Sequence, residues 1–255
     1  MKYYRKLIIS GVNYELNEYR CSRFFTPWGK ADREAWKKAR GLSEGGYWME
    51  EEKERTLEEK VSDRLRNLEQ TRKRVRRIIN ANRTPDDAFL TLTFARNVQD
   101  IKQANYEWKK FRQRFEYDTG KKLRYVVVIE FQERGAVHYH AYLFGVGFVE
   151  WPVYRAAWGN GDIQINHVKD PDKTAAYVTS YMVKDIATDA RLLGQKCYMC
   201  SRGLNKPVEY DNYETEGFDE LAAELVKSSR IDYYKEEIVS NFLGPYRKTL
   251  GVITV

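Results

Sequence analysis

The chain is poor in the residues that mark many common chemistries. It has three cysteines in 255 residues, which argues against a disulfide framework and fits a reducing compartment. Cys197 and Cys200 form a lone CxxC, and no second pair completes a zinc site. No apolar run approaches the ~20 residues of a membrane span: Tyr125 to Phe131 is short and contains Glu130, and His138 and His140 interrupt Val137 to Val149. The opening MKYYRKLIIS offers only a brief apolar patch, which is not the pattern of a secretory leader. A soluble, intracellular protein without a membrane partner is expected. No GxxxxGK[ST] motif occurs, so no nucleotide-driven motor of that kind is encoded.

What the chain does have is positive charge and aromatic surface. Lys and Arg number 44 against 37 acidic residues, and aromatics make up 14%. That balance suits a globular protein that meets polyanions, although charge alone does not separate a nucleic-acid binder from other basic proteins. The length allows one main domain with appended segments.

Residues 1–49 read as an aromatic-rich, irregular N-terminal extension with turn signals at Thr26-Pro27-Trp28-Gly29 and Gly45-Gly46. Residues 50–82 read as one long charged helix, acidic first and basic later, with Leu57, Val61, Leu65, Leu68, Val75, Ile78 and Ile79 on one face. Its cluster of Arg72, Lys73, Arg74, Arg76 and Arg77 fits either a solvated face or a track for a phosphate backbone. Residues 83–190 carry the clearest pattern: a strand over 87–94, an amphipathic helix over 97–117, strands over 123–131 and 136–144 joined by a Gly-containing connection, a short helix at 152–158, a strand over 162–168, and a helix from Pro171 to about Asp189. The fold class this implies is α+β, with an antiparallel sheet flanked by helices. Residues 191–255 read as a C-terminal extension with a helix near 218–228.

Only three histidines are present, and two of them stand one residue apart in ERGAVHYHAYLF. Side chains alternate along a strand, so His138 and His140 share a face. Packed histidines and a divalent-ion site both fit this pair. Glu130 is the one carboxylate in the preceding apolar strand and falls opposite them across the hairpin, where a buried carboxylate needs a partner or a metal. Two nitrogens and an oxygen suit Mn²⁺ or Mg²⁺. Glu133 competes as third ligand but sits in the connection. Tyr177, Tyr181 and Lys184 fall at i, i+4 and i+7 on the last helix, where they would share a surface.

The segments FLTLTF (89–94), ERGAVHYHAYLFG (133–145) and YVTSYMVK (177–184), in that order, resemble the three motifs of HUH endonucleases. Within that superfamily they are similar to rolling-circle replication initiators of phages and plasmids with paired tyrosines, and RRIINAN upstream resembles the filamentous-phage type. The likeness covers roughly residues 72–190. It implies a central sheet of about five antiparallel strands with HUH/RRM-like, ferredoxin-like topology. It implies His138, His140 and Glu130 as ligands of a divalent ion, Tyr181 as nucleophile, Lys184 as its basic companion and Tyr177 as a second nucleophile. Relatives with two tyrosines often carry Lys before the second one, where this chain has Ser180. The implied reaction is the nicking of single-stranded or hairpin origin DNA in the cytoplasm of a bacterial host, leaving a 5′-phosphotyrosine and a 3′-OH, with host polymerase and helicase as partners. Arg134 and the Arg72, Arg74, Arg76, Arg77 cluster are the candidates for DNA contact. Two other readings stay open: an HUH transposase or mobilisation relaxase, and a non-catalytic nucleic-acid-binding module.

Overall fold

The computed structural model describes residues 4–19, 56–169, 171–182, 189–192, 196–212, 214–240 and 244–253. In chain order its elements are β1 (Arg5–Ser10), β2 (Asn13–Tyr19), α1 (Leu57–Asn82), β3 (Ala88–Thr93), α2 (Ile101–Thr119), β4 (Arg124–Phe131), β5 (Val137–Phe144), α3 (Trp151–Trp158), β6 (Ile163–His167), α4 (Pro171–Ser180), β7 (Tyr198–Cys200), β8 (Val208–Asp211), α5 (Phe218–Lys227), β9 (Ser229–Ser240) and β10 (Gly244–Ile253). Two compact units form. One takes its described residues from Met1–Ile8, Tyr14–Lys60 and Glu209–Val255, and the other from Ile9–Asn13 and Val61–Val208.

The second unit has the α+β architecture expected for the central segment. Its five strands lie in the order β6-β3-β5-β4-β7, and its ladders are antiparallel. Strict alternation sorts the side chains onto two faces. Leu90, Leu92, Val127, Ile129, Tyr139 and Leu143 point to one face, where Trp108, Phe111 and Phe115 of α2 and Trp158 of α3 close a buried aromatic core. Phe89, Val126, Val128, Tyr142 and Phe144 point to the other, against Val75 and Ile79 of α1 and Ala175 and Val178 of α4. Each large side chain buried in this way stabilises the fold by about 1.5–3 kcal/mol. Leu68 completes the packed stripe of α1, with Leu65 and Ile78 partly buried beside it. The side chains of Leu57 and Val61 lie outside the described residues.

Asp87, just before β3, is fully buried and has no cationic partner among its hydrogen bonds. Four donors satisfy it instead: the Thr84 amide (2.8 Å) and hydroxyl (2.7 Å), the Tyr142 hydroxyl (2.8 Å) and the Gly145 amide (2.8 Å). Charge-assisted bonds of this kind compensate the burial of the carboxylate.

Two helix boundaries differ from the sequence reading. α2 begins at Ile101 rather than 97, because Asp100 is its N-cap and accepts from the Lys102 amide at 2.7 Å. The Val98 carbonyl instead accepts from the Val137 amide at 2.8 Å. α4 stops at Ser180, short of Asp189. The Ser180 hydroxyl donates to the Tyr177 carbonyl at 2.6 Å, and the Met182 amide turns back to the Thr179 carbonyl at 3.2 Å, a tight turn that ends the helix.

The other unit is a five-stranded sheet in the order β8-β1-β2-β10-β9. The N-terminal segment, which reads as irregular from sequence, therefore contributes two strands, which pair with elements more than 200 residues away in the chain. Tyr4, Tyr19 and Tyr246 stack across its neighbouring strands, with ring centroids 5.4 and 4.9 Å apart. The C-terminal helix forms over Phe218–Lys227, near the expected span, and the Arg5 guanidinium sits over the Phe218 ring at 5.2 Å.

Candidate metal and tyrosine site

The site lies on the α1/α4 face of the sheet, at the end that the packed side chains leave open. Antiparallel register sets Glu130 opposite His138 across β4 and β5, and sets Thr93 and Thr91 opposite His138 and His140 across β3 and β5. All five side chains project to the same face. The two imidazole centroids are 4.8 Å apart. The ligand atoms of Glu130, His138 and His140 lie within 4.8 Å of one another, close enough to bind one ion.

The hydrogen bonds around the triad fit a cation site. Thr93 Oγ1 lies 3.2 Å from His138 Nδ1, and Thr91 Oγ1 lies 3.4 Å from His140 Nδ1. A hydroxyl that accepts from Nδ1–H leaves the Nε2 lone pair free for a metal, the usual second contact of a ligating histidine. His140 Nε2 meets Glu130 Oε2 at 2.7 Å. An imidazole lone pair and a carboxylate oxygen repel at that distance unless something positive lies between them. An Nε2–H tautomer satisfies this contact as a hydrogen bond, with Thr91 then donating to Nδ1; a divalent ion would fit the same nitrogen and oxygen with the tautomer reversed. His138 is 9% exposed and His140 3%. Burial, reinforced by the neighbouring His140, pushes the His138 pKa down to about 4, so its ring is neutral at physiological pH, as ligation requires.

The tyrosines sit beside this triad. The Tyr181 ring stacks on His140 with centroids 3.4 Å apart and planes 11° apart. Tyr177 meets Tyr181 edge-on at 4.9 Å, and the Tyr181 hydroxyl donates to the Tyr177 hydroxyl. Phe89 lies beneath both, 6.4 Å from Tyr181 and 5.6 Å from Tyr177. Tyr177 is 52% exposed although it sits in a packed helix, so it is not a core residue. Burial raises the Tyr181 phenol well above its ordinary pKa, with further contributions from the Tyr177 hydrogen bond and the nearby Glu130 carboxylate. Lys184 lies outside the described residues.

Of the basic candidates, Arg72 is half-buried and donates from Nε to the Thr179 carbonyl at 3.2 Å, which braces the last turn of α4 just before Tyr181. Arg74 and Arg76 are exposed on α1, and Arg77 is half-buried. Arg134 is exposed in the hairpin connection, and its guanidinium donates to the Phe94 and Ala95 carbonyls beyond the end of β3. Glu133, the competing ligand, is exposed in that connection and is not part of the triad.

Several contributors carry little or no signal in the sequence. Thr91 and Thr93 read there only as strand residues, although their two-residue spacing matches that of the histidines they contact. Phe89 belongs to the same row. Arg191 has no signal at all: it donates to the Gly135 carbonyl at 2.6 Å and lies over the Phe131 ring at 3.6 Å, holding the hairpin from outside it. Among the described residues no helix is long and apolar enough to cross a membrane. No curated protein and no solved structure matches the chain. Residues 87–186, which hold the triad, both tyrosines and the strands that align them, match the model of a family of replication-associated proteins, the ORF2 type, and the match supports reading this chain as a replication-associated protein.

Proposed function

We propose that the protein is a replication initiator that nicks single-stranded origin DNA and later rejoins it, with Tyr181 as the nucleophile. The observation that carries this reading is the Tyr181 ring stacked on His140 of the Glu130, His138, His140 triad. A phenol lying directly against three convergent metal-ligand atoms is arranged for attack on a phosphate held at those atoms. The family match over 87–186 agrees with a role in replication.

Glu130, His138 and His140 would hold the divalent ion, Mn²⁺ or Mg²⁺. When bound, the ion supplies Lewis acidity at the phosphate oxygens and offsets the Glu130 charge that disfavours the Tyr181 phenolate. Thr91 and Thr93 orient the imidazoles. Tyr181 attacks phosphorus in line: its oxygen–phosphorus bond forms as the bond to the 3′ oxygen breaks, the phenolic proton leaves to solvent, and the 3′ oxygen takes a proton from water. The products are a 5′-phosphotyrosine and a 3′-OH that can prime a polymerase. Because the phosphodiester energy is kept in the adduct, no ATP is required. Lys184 offsets negative charge near the phenolate, and the exposed Tyr177 is available for a second attack on the copied origin; the 3′-OH freed by that attack then displaces Tyr181 from its phosphotyrosine and closes the circle. Arg134 and the Arg72, Arg74, Arg76, Arg77 group steer the strand, and the partners are the origin DNA, a host polymerase and a host helicase in the bacterial cytoplasm.

The test is to incubate the protein with Mn²⁺ and single-stranded DNA from its own replicon and to look for a covalent adduct on a denaturing gel. The adduct should need metal and disappear in Tyr181→Phe combined with Tyr177→Phe. An adduct that persists in the double variant would refute the assignment, and no adduct on any origin strand would favour a binding module.

A further inference from the structure

Thr93 faces the triad on one side and an open cavity on the other. The cavity, about 520 Å³, lies at the C-terminal end of β3 and is lined by Thr93, Phe94, Ala95, Arg134, Arg155, Gly161 and Asp162, a size suited to one small ligand. None of the roles above uses Arg155 or Asp162.

The position of this cavity follows from the row of alternate residues along β3. Phe89, Thr91 and Thr93 share a face and span about 13 Å at the usual strand rise. Tyr177 packs against Phe89, Tyr181 stacks on His140 at the level of Thr91, His138 sits over Thr93, and the cavity opens past Thr93. Along β3, His138 therefore lies between the nucleophile and the cavity. An in-line displacement places the attacking and departing oxygens on opposite sides of phosphorus. A phosphate held at the triad and attacked from the tyrosine side expels its 3′ oxygen toward the cavity.

The chemistry of the walls matches what would arrive there. Arg155 is exposed, its guanidinium lies over the Trp151 ring at 5.0 Å, and no carboxylate of the described residues bridges it. Stacking presents its N–H groups edgewise, ready for a phosphate. Asp162 is also exposed, and its carboxylate can accept from the amino and imino groups of a base edge. Its backbone carbonyl accepts from the Thr93 amide at 3.0 Å, which ties its main chain to the end of β3. Gly161 lets this segment lie directly against the end of β3: a Cβ there would fall 2.3 Å from the Thr93 carbonyl oxygen and 2.5 Å from the Ala95 nitrogen.

We propose that this cavity holds the nucleotide on the 5′ side of the scissile phosphate, the one that leaves with the new 3′-OH, with its base edge on Asp162 and its own 5′-phosphate on Arg155. This rests on the nicking reading above. Guanine is the preferred base, because its adjacent N1–H and N2–H groups match the two carboxylate oxygens.

The experiment uses a pool of single-stranded DNA randomised in sequence, incubated with the full chain and Mn²⁺. Released fragments ending in 3′-OH are ligated to an adaptor and sequenced, and the retained strands are sequenced from the adduct. Wild type should show a preference at the terminal base of the released fragment of roughly tenfold. Asp162→Asn should flatten that preference to about unity while the bases on the 3′ side of the nick stay selected as before, and Arg155→Ala should lower DNA binding about equally for every terminal base and reduce the salt slope by about one. Both residues are exposed, so melting temperatures close to wild type are expected and serve as the folding control. If Asp162→Asn nicks with the terminal preference unchanged, if Arg155→Ala binds DNA as wild type does, or if wild type shows no terminal preference, the cavity assignment is overturned while nicking stands. If wild type forms no adduct with any sequence, both readings fall.

Discussion

Thr93→Val keeps the shape and strand propensity of the side chain and removes only the hydroxyl that lies 3.2 Å from His138 Nδ1. His138 is 9% exposed, so water cannot freely replace the lost partner. In the metal-bound form the ring must carry its proton on Nδ1, and in the variant that N–H is left without an acceptor, at a cost of about 1–3 kcal/mol. Metal affinity should therefore fall roughly 10–100-fold, in the range typical of a lost contact behind a ligating histidine. Thr91→Val should cost less, because its hydroxyl sits at 3.4 Å from His140 Nδ1, near the limit of a hydrogen bond. Thr93→Ser restores the hydroxyl and should recover most of the affinity. Titration calorimetry of Mn²⁺ into the three variants reads this directly, with far-UV circular dichroism confirming the sheet. If Thr93→Val binds Mn²⁺ within about twofold of wild type, the threonine does not orient the ligand and the reasoning fails.

Other consequences follow from the same geometry. Tyr181→Phe should abolish the covalent adduct while Tyr177→Phe still forms one, and peptide mapping should find the first adduct on Tyr181; an adduct found only on Tyr177 would reverse the two roles. The folded-state pKa of His138, about 4, lies below its ordinary 6.5, so the unfolded chain takes up that proton first. Its contribution to stability is then fully present above pH 6.5 and lost as the pH falls toward 4, and chelator-treated His138→Gln should lose less melting temperature over that interval than wild type does. Equal slopes would show that His138 is not held neutral by the fold. Asp87→Asn replaces an acceptor of four hydrogen bonds with a group that donates from one side. Urea unfolding should show a loss of about 2–4 kcal/mol, and a loss below about 0.5 kcal/mol would mean the cluster is not tight.

The parts of the site legible in the sequence are those set by local counting. Alternation puts His138 and His140 on one face, and the short connection through Gly135 places Glu130 opposite them, as the β4–β5 register has it. Helical spacing brings Tyr177 and Tyr181 together. The end of α4 is less legible, because it depends on Ser180 and Thr179 turning to the chain's own carbonyls, and neither strongly forbids a helix. Thr91 and Thr93 stand in plain view, yet their contact with the histidines comes from the β3–β5 pairing, with almost fifty residues between the partners. β1 and β2 escape notice for the same reason on a larger scale. Their partners include a strand that begins at Gly244, and periodicity within a short window carries no record of so distant a neighbour. Arg191 reaches the hairpin through space alone.

The partition of β3 and β5 into two faces also governs which changes in length the gene can absorb. Asp87 holds Tyr142 and Gly145 to the start of β3, so the two strands are indexed at that end and run in step from there to Thr93 and His138. Inserting or deleting one residue between these points would turn Thr93 or His138 away from the ion and, by the same rotation, drive a core residue such as Leu92 or Tyr139 into water. Stability and chemistry would fail in one step, with no intermediate for selection to keep. Lineages of this protein should therefore vary in length at 132–135 and 145–150, and keep 87–93 and 137–144 at constant length.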